Sequence, residues 1–346
     1  MKPRTVLVFC PNWVGDVVMA PPVFDRLRAG YPGARQVAVI RKYVEGVLDG
    51  SPWFDEVIGC DDKSFAGFIE LVRKIRRIAP DISVIMPNSF RSALLSRLGG
   101  SKKAYGYGRN FRQVLLTGGP KPRRGKSGYI PVPMEKYYMG ICDWLGLDKC
   151  ETRPPRLFIS DRIEGKAERL LARYGIKKDD RVIGLNPGAK FGSSKCWPAE
   201  HFAALADRLD MEWNCRILLF AGPGEEKIAR TIVDKSKAPI INTAPHEVDL
   251  TLLKPLVKRC QLLITNDTGP RHYAVAFGVP VVVIMGPTDS RYTATHLEKT
   301  IVLQQQLTCI PCHEKVCRYE HECMTQIRPQ AVWEACRTLL ESPASK

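Results

Sequence analysis

The chain reads as an α/β protein built from doubly wound domains, and three observations predict it. Short apolar runs rich in β-branched residues alternate with amphipathic segments in both halves, the pattern of buried parallel strands joined by crossover helices. The segments that follow these runs are rich in Gly, Pro, Asn, Ser and Asp, and the carboxyl ends of parallel strands are where open sheets bind ligands. At 346 residues the chain has length for two domains and two cores.

In the first half, residues 5–10 form a strand, and Pro11-Asn12-Trp13-Val14-Gly15-Asp16 is the loop leaving its carboxyl end. Apolar spacing then predicts a helix over 17–29. Asp16 can cap that helix, or it can face the cleft as a general base beside the permissive backbone of Gly15. Asn12 and Trp13 share the loop and are candidate acceptor contacts. Strands are expected at 36–40 and 57–59, an amphipathic helix at 65–78, and a strand at 82–86 that ends in Pro87-Asn88-Ser89-Phe90-Arg91-Ser92. Ser89 and Arg91 are candidate acceptor contacts there, with helix capping the alternative for Ser89. A short edge strand at 104–107 and a helix at 135–145 complete the half. The stiff Pro154-Pro155 pair within residues 151–156 marks an interdomain linker.

In the second half, a helix at 161–174 precedes a strand at 182–185, which opens into a loop running from Asn186 to Pro198. Its glycines, Ser193, Ser194, Lys190 and Lys195 suit a diphosphate, although the spacing is not that of a Walker loop. A helix at 199–209 and a strand at 216–221 lead to Gly222-Pro223-Gly224-Glu225-Glu226. The two carboxylates there either accept from ribose or sugar hydroxyls or favour a helix N-terminus. A strand at 240–242 and a helix at 249–259 reach the most informative stretch, LLITNDTGPRHYAVAFGVPVVVIMGP over residues 262–287. Two buried strands flank a helix at 270–277 that opens at Asn266-Asp267-Thr268-Gly269-Pro270. Pro270 loses nothing in a first turn, and backbone N–H groups with the helix dipole form a phosphate site. Gly269 permits close approach, Thr268 brings a hydroxyl, and His272 projects from the first turn. A nucleotide diphosphate at this sheet edge is the expected ligand. A last helix spans 329–340.

The formal charge is +16, which calls for an acidic partner: a phosphorylated substrate, an anionic membrane face or nucleic acid. No nucleic-acid motif or basic-aromatic interleaving is present, so nucleic acid is not expected. Arg73-Lys74-Ile75-Arg76-Arg77 reads as a solvated helix face. Lys121-Pro122-Arg123-Arg124-Gly125-Lys126 lies in a loop, where an anionic contact and a plain surface segment are equally open. No apolar run approaches the ~20 residues that cross a bilayer, and Met1-Lys2-Pro3-Arg4 leads into a strand instead of a signal-peptide core. A cytoplasmic protein is expected. A dinucleotide-dependent oxidoreductase is disfavoured, because no G-x-G-x-x-G follows the first strand. A non-catalytic nucleotide-binding protein would leave Asp16 unexplained.

Eight of the twelve cysteines are scattered and suit small buried apolar positions. Cys309, Cys312, Cys317 and Cys323 form a C-x2-C-x4-C-x5-C cluster with His313 and His321 among them. A structural zinc and a set of free or redox-labile thiols are the two readings.

Four motifs in this order resemble the ADP-heptose:lipopolysaccharide heptosyltransferases: Gly15-Asp16, N-P-G-A-x-F-G-x-x-K-x-W-P from Asn186 to Pro198, T-N-D-T-G-x-x-H from Thr265 to His272, and G-P-T-D from Gly286 to Asp289. The C-x-P-C at Cys309 to Cys312 is similar to the branch acting on the first heptose of the lipopolysaccharide inner core. The resemblance runs from Val6 to Cys323. It implies a GT-B fold, two Rossmann-like domains facing across a cleft, with acceptor-binding residues 1–152, donor-binding residues 153–328, and a terminal helix in 329–346 packing back on the first domain. It implies an inverting heptosyl transfer from ADP-heptose to the nascent lipopolysaccharide core on lipid A, without metal or cofactor, at the cytoplasmic face of the inner membrane. By the same resemblance Asp16 is the base and Lys195 contacts the donor phosphates. Asp267, Thr268, Gly269 and His272 hold the donor's sugar and diphosphate, and Glu225 or Glu226 serves the nucleoside.

Overall fold

Strand β1 (Thr5–Phe9) runs between β2 (Arg35–Arg41) and β4 (Ile82–Ile85), and both pairings are parallel. With β3 (Glu56–Cys60) and β5 (Lys103–Tyr105) they make a parallel sheet of order β3-β2-β1-β4-β5. This is a computed structural model, and it describes residues 2–61, 64–126, 128–148, 154–244 and 248–341. Val6, Leu7 and Val8 are fully buried, as expected of a strand covered on both faces.

The helix expected over 17–29 is two helices, α1 (Val14–Val18) and α2 (Pro21–Gly30). Pro21 and Pro22 cause the break, since neither can donate a helical N–H to a preceding turn, while both suit the start of a new helix. Helix α3 (Phe65–Ile78) has the expected bounds, with the Ser64 hydroxyl accepting from Gly67 N–H as its cap. Helix α4 (Phe90–Leu98) follows β4. A two-stranded hairpin, β6 (Arg124–Gly125) and β7 (Gly128–Tyr129), precedes α5 (Met134–Trp144), which packs on α2.

The second sheet is also parallel, in the order β10-β9-β8-β11-β12-β13. Its strands are β8 (Val182–Asn186), β9 (Arg216–Leu219), β10 (Ile240–Asn242), β11 (Leu262–Asn266), β12 (Val281–Met285) and β13 (Thr300–Gln304). Sequence reading missed β13, a half-buried edge strand whose TIVLQ lacks the continuous apolar run of its neighbours. Around the sheet lie α6 (Asp161–Arg173), α7 (Ala199–Trp213), α8 (Glu226–Lys235), α9 (Leu253–Arg259), α10 (Gly269–Phe277), α11 (Glu322–Thr325) and α12 (Pro329–Glu341).

The chain divides into two units, Met1–Phe158 with Arg291–Thr293 and Ile159–Ser290 with Ala294–Lys346. The boundary expected at 152 therefore falls after Phe158. Of the expected linker, Glu151, Thr152 and Arg153 lie outside the described residues. Arg156 is held on the first unit by Asp25, at 2.8 Å, and Phe158 lies edge-on against the buried ring of Trp53. The terminal helix departs further from expectation. It packs on α7, β12 and β13 of the second unit, where Val332, Trp333 and Cys336 enter the same core as Leu185, Ile264 and Ile284, and Trp333 meets Trp213 with ring centroids 4.6 Å apart. Its apolar stripe is thus used up within its own unit. Ile264→Ala, a truncation at the centre of this core, is expected to lower stability by about 2–5 kcal/mol, measured by urea denaturation of the second unit's transition.

Candidate active site

In both sheets the strand order reverses beside the first strand of the unit, between β1 and β4 and between β8 and β11. Such a reversal parts the loops at the carboxyl edge and leaves a place for a ligand. In the second unit the two loops are sewn together by asparagines. Asn186 Nδ2 donates to Thr265 Oγ1 at 3.1 Å and to Thr268 Oγ1 at 3.0 Å. Asn266 Oδ1 accepts from Trp197 N–H at 3.1 Å, and its Nδ2 donates to the Pro187 carbonyl at 2.6 Å. The indole of Trp197 is fully buried and donates to the Ile327 carbonyl.

This stitching sets Lys195 beside Asp267. Lys195 Nζ lies 2.7 Å from Asp267 Oδ2 and 2.9 Å from the Asp267 carbonyl. The other carboxylate oxygen takes Arg271 at 2.9 Å, and the Thr288 hydroxyl donates to Oδ2 at 2.7 Å. Burial opposes ionisation of Asp267, but the two cations outweigh it and hold the carboxyl below its usual range. Buried Arg271 and partly covered Lys195 therefore share one carboxylate, leaving a surplus positive charge at the start of α10. Gly269 is the first residue of that helix, and the Thr268 side chain makes no capping bond to it, its hydroxyl engaging Asn186 instead. His272 is buried, and burial followed by the repulsion of Arg271 lowers its pKa to about 3, so it offers a neutral imidazole. Arg271 was not singled out in the sequence, where an arginine four places after an aspartate reads as a solvated helix pair.

The other expected donor contacts divide. The Glu225 carboxylate fills the space beside Gly188 and accepts from Gly222 N–H at 2.8 Å. Burial raises its pKa. Glu226 instead accepts from Gly224 N–H at 3.0 Å and is exposed. Lys190 and Ser193 are exposed on the loop. Ser194 is not available to a phosphate as expected: it is buried, and its hydroxyl donates to the Glu314 carbonyl at 2.5 Å. A Cβ on the neighbouring Gly192 would stand 2.2 Å from the Lys315 carbonyl oxygen, which is why glycine is required there.

In the first unit Asp16 is in the first turn of α1, whose N-cap is Trp13, so its carboxylate is not the cap. It is half-buried and hydrogen-bonded by Tyr138 of α5. Burial and the Asp16 charge push the Tyr138 hydroxyl well above its usual value, so it remains protonated and donates. Tyr138 was not recognisable in the sequence, because an aromatic on a helix's apolar face reads as core. Asn12 Oδ1 is taken by Arg41 at 3.0 Å, while Trp13 is 50% exposed. Ser89 caps α4, accepting from Ser92 N–H at 3.1 Å. Arg91 does not join a site at the strand ends: its guanidinium lies 4.7 Å from the centre of the Phe68 ring and reaches toward the Ser64 carbonyl. The cation at these strand ends is Arg112, fully buried and donating to the carbonyls of Tyr107, Pro87 and Ile85. Burial lowers it to about 10, so it stays charged. Beside α5 a cavity of about 290 Å³ is lined by Arg109, Lys121, Arg123, Lys136, Tyr129 and Tyr137, among others. The basic loop of the sequence thus contributes to a concave surface.

The model of glycosyltransferase family 9 (heptosyltransferase) matches residues 68–322. The chain belongs to that family. Lipooligosaccharide heptosyltransferase 2 of Campylobacter jejuni is 26% identical over 347 residues, covering 97% of this chain and 98% of the relative. Lipopolysaccharide heptosyltransferase 2 of Escherichia coli is 27% identical over 353 residues, with the same shares covered. Among solved structures, a family 9 glycosyltransferase from Veillonella parvula aligns with a TM-score of 0.86 at 24% identity, covering 98% of each chain. E. coli ADP-heptose lipopolysaccharide heptosyltransferase II aligns with a TM-score of 0.79 at 25% identity, covering 97% of this chain and 98% of that one.

This family 9 glycosyltransferase has the GT-B fold, with one doubly wound parallel sheet in each unit. The four clustered cysteines line one cavity in its second unit. Burial, then the proximity of Cys317, Cys309 and Cys312, raises the Cys323 thiol to about 11.

The neutral state of His272 has a measurable consequence. The unfolded side chain binds a proton below pH 6.5 and the folded one only near pH 3. The unfolded state therefore binds more protons across that window, and stability falls as pH falls through it, by about 1.4 kcal/mol per unit. His272→Asn is expected to remove this share of the slope in urea titrations between neutral pH and about pH 5. An unchanged slope would mean that His272 titrates freely in the folded protein.

Proposed function

We propose that this chain transfers L-glycero-D-manno-heptose from ADP-heptose to the first heptose of the lipopolysaccharide inner core, with inversion at the anomeric carbon. The observation that carries the reading is the Lys195-Asp267-Arg271 cluster at the start of α10, beside the β8/β11 reversal. As the bond from the anomeric carbon to the β-phosphate oxygen breaks, negative charge grows on the leaving ADP. The surplus cation and the N–H groups opening α10 stand preorganised for that charge. The partial neutralisation of Lys195 and Arg271 by Asp267 keeps both in place before the donor arrives. Glu225, with Gly188 and Gly222, suits the nucleoside end, where a carboxylate accepts from ribose hydroxyls.

Asp16 takes the proton of the attacking acceptor hydroxyl, and Tyr138 orients it. Helix α5 supports an acceptor on this side, because it carries Tyr138 against Asp16 and also Lys136 and Tyr137 on the wall of the basic cavity. Tyrosine rings with several cations suit a sugar bearing carboxylate or phosphate groups. The reaction in this form draws on no cofactor, because the chain's own cations carry the leaving charge. The charge of +16 favours work at the anionic cytoplasmic face of the inner membrane. Among the described residues no helix is long and apolar enough to cross a membrane.

The test is transfer from ADP-heptose to a monoheptosylated Kdo-lipid A acceptor. Asp16→Asn is expected to lower kcat by about 10²–10⁴ with ADP binding retained. Tyr138→Phe should lower kcat by roughly fivefold, the worth of one hydrogen bond. Lys195→Ala should weaken ADP binding by about 10–100-fold, as loss of a charged hydrogen bond does. Donor binding without transfer to this acceptor would refute the acceptor assignment, and failure to bind ADP-heptose would refute the donor.

A further inference from the structure

We propose that the segment from Arg109 to Ile130 of the first unit docks on an anionic lipid bilayer, with Phe111 and Val114 entering the headgroup layer and Lys121, Arg123, Arg124 and Lys126 resting on lipid phosphates. Such docking deepens the proposed function, in which the acceptor sugar is carried on a lipid.

The tip of this segment is held from within. Buried Arg112 donates to the carbonyls of Tyr107, Pro87 and Ile85, and Asn110 Nδ2 donates to the Asn88 carbonyl at 2.7 Å. Leu115 and Leu116 pack against the core of the first sheet. The two apolar side chains left outside, Phe111 and Val114, are 85% and 78% exposed. A lone exposed apolar residue is ordinary, but Phe111 has a φ of 60°, in the left-handed region where a bulky side chain is rare. It finds little burial within the fold to offset that strain, and strain of this kind gathers where a chain binds something.

The cations stand next to this tip. Between Asp81 and Glu135 the sequence holds ten Lys or Arg residues and no Asp or Glu. The Arg109 guanidinium, two residues before Phe111, lies 3.8 Å from the centre of the Tyr129 ring. Arg124 lies over the same ring and donates to the Tyr129 hydroxyl at 3.0 Å. The β6/β7 hairpin is thereby joined to the tip, and Lys121, Arg123, Arg124 and Lys126 are all exposed on or beside it. Ile130, whose N–H donates to the Arg123 carbonyl, adds a third exposed apolar side chain.

Apolar side chains among exposed cations match the boundary between acyl chains and anionic headgroups. A second copy seated face to face would set the cations against themselves. Val114 and Ile130 offer a nucleic acid nothing to stack on. Lys121, Arg123 and Ile130 also line the basic cavity, so docking would bring that cavity to the level of lipid-borne sugars.

The full chain is expected to sediment with vesicles of phosphatidylcholine mixed with phosphatidylglycerol and to stay free beside vesicles of phosphatidylcholine alone. Added salt should release it. Phe111→Asn, which suits the left-handed backbone, should weaken binding about tenfold. Arg124→Ala with Lys126→Ala should weaken it about 25-fold, at roughly fivefold per cation. Arg73→Ala with Arg77→Ala removes the same charge from exposed positions on α3 and should change binding little. Fluorescence of Phe111→Trp should be quenched by lipids brominated on their acyl chains, beyond the quenching of wild type. Phe111→Asn should also slow transfer to acceptor held in vesicles while leaving transfer to deacylated acceptor at the wild-type rate. Vesicle binding of this pattern with no transfer to either acceptor would support docking and refute the proposed function. Transfer without vesicle binding, or equal losses in the α3 and hairpin variants, would overturn docking. So would a wild-type dimer that Phe111→Asn dissolves, which would give the face to a second copy.

Discussion

Asp267 ties together two pieces of chain that approach from different strands. Lys195 arrives on the loop after β8, Arg271 on the helix after β11, and the carboxylate holds one with each oxygen. All three side chains are nearly withdrawn from water, and removing the carboxylate from such a set leaves buried cations uncompensated, a loss on the order of 3–5 kcal/mol. The asparagine stitches between the same loops serve the same end. What they maintain is a cationic surface that would otherwise drive itself apart.

The two units apply one plan to different chemistry. Each has a parallel sheet whose order reverses beside its first strand, and each gathers polar groups at that reversal. In the second unit the groups are cations balanced around one carboxylate. In the first they are a carboxylate, Asp16, with a tyrosine hydroxyl on it, while buried Arg112 ties down the carbonyls at the end of β4. Asp16 in the first unit depends on a helix well separated in sequence, α5, which is why that contribution is long-range and local sequence patterns miss it.

Much of the fold was legible because its signals are local. The apolar runs of β1, β8, β11 and β12 and the Ser64-capped periodicity of α3 specify their structures within a few residues. Asp16, Lys195, Asp267 and Glu225 were legible as candidates because each follows a strand's carboxyl end. The misses share another cause. The break between α1 and α2 was hidden by apolar spacing that continues across Pro21 and Pro22, and β13 by its half-exposed edge. Ser194 and Arg91 have side chains suited to a ligand but are committed to Glu314 and Phe68 by tertiary contacts that no spacing encodes. Arg271 and Tyr138 are the reverse case, residues of ordinary appearance given a role by their partners. The docking of α12 on the first unit was expected from resemblance alone, and it is corrected by the apolar face, which finds its complement on α7 of the helix's own unit.

The position of α12 also bears on how the chain is made. The sheet of the first unit needs nothing beyond Tyr105, so its strands can pair while the ribosome is still working on the second. The core of the second unit, by contrast, includes Val332, Trp333 and Cys336, so its apolar surface stays uncovered until α12 has emerged. Domains fold broadly as units during synthesis, N-terminal first. The second unit is therefore the late and exposed one, and it is there that a nascent chain most needs shielding from its neighbours.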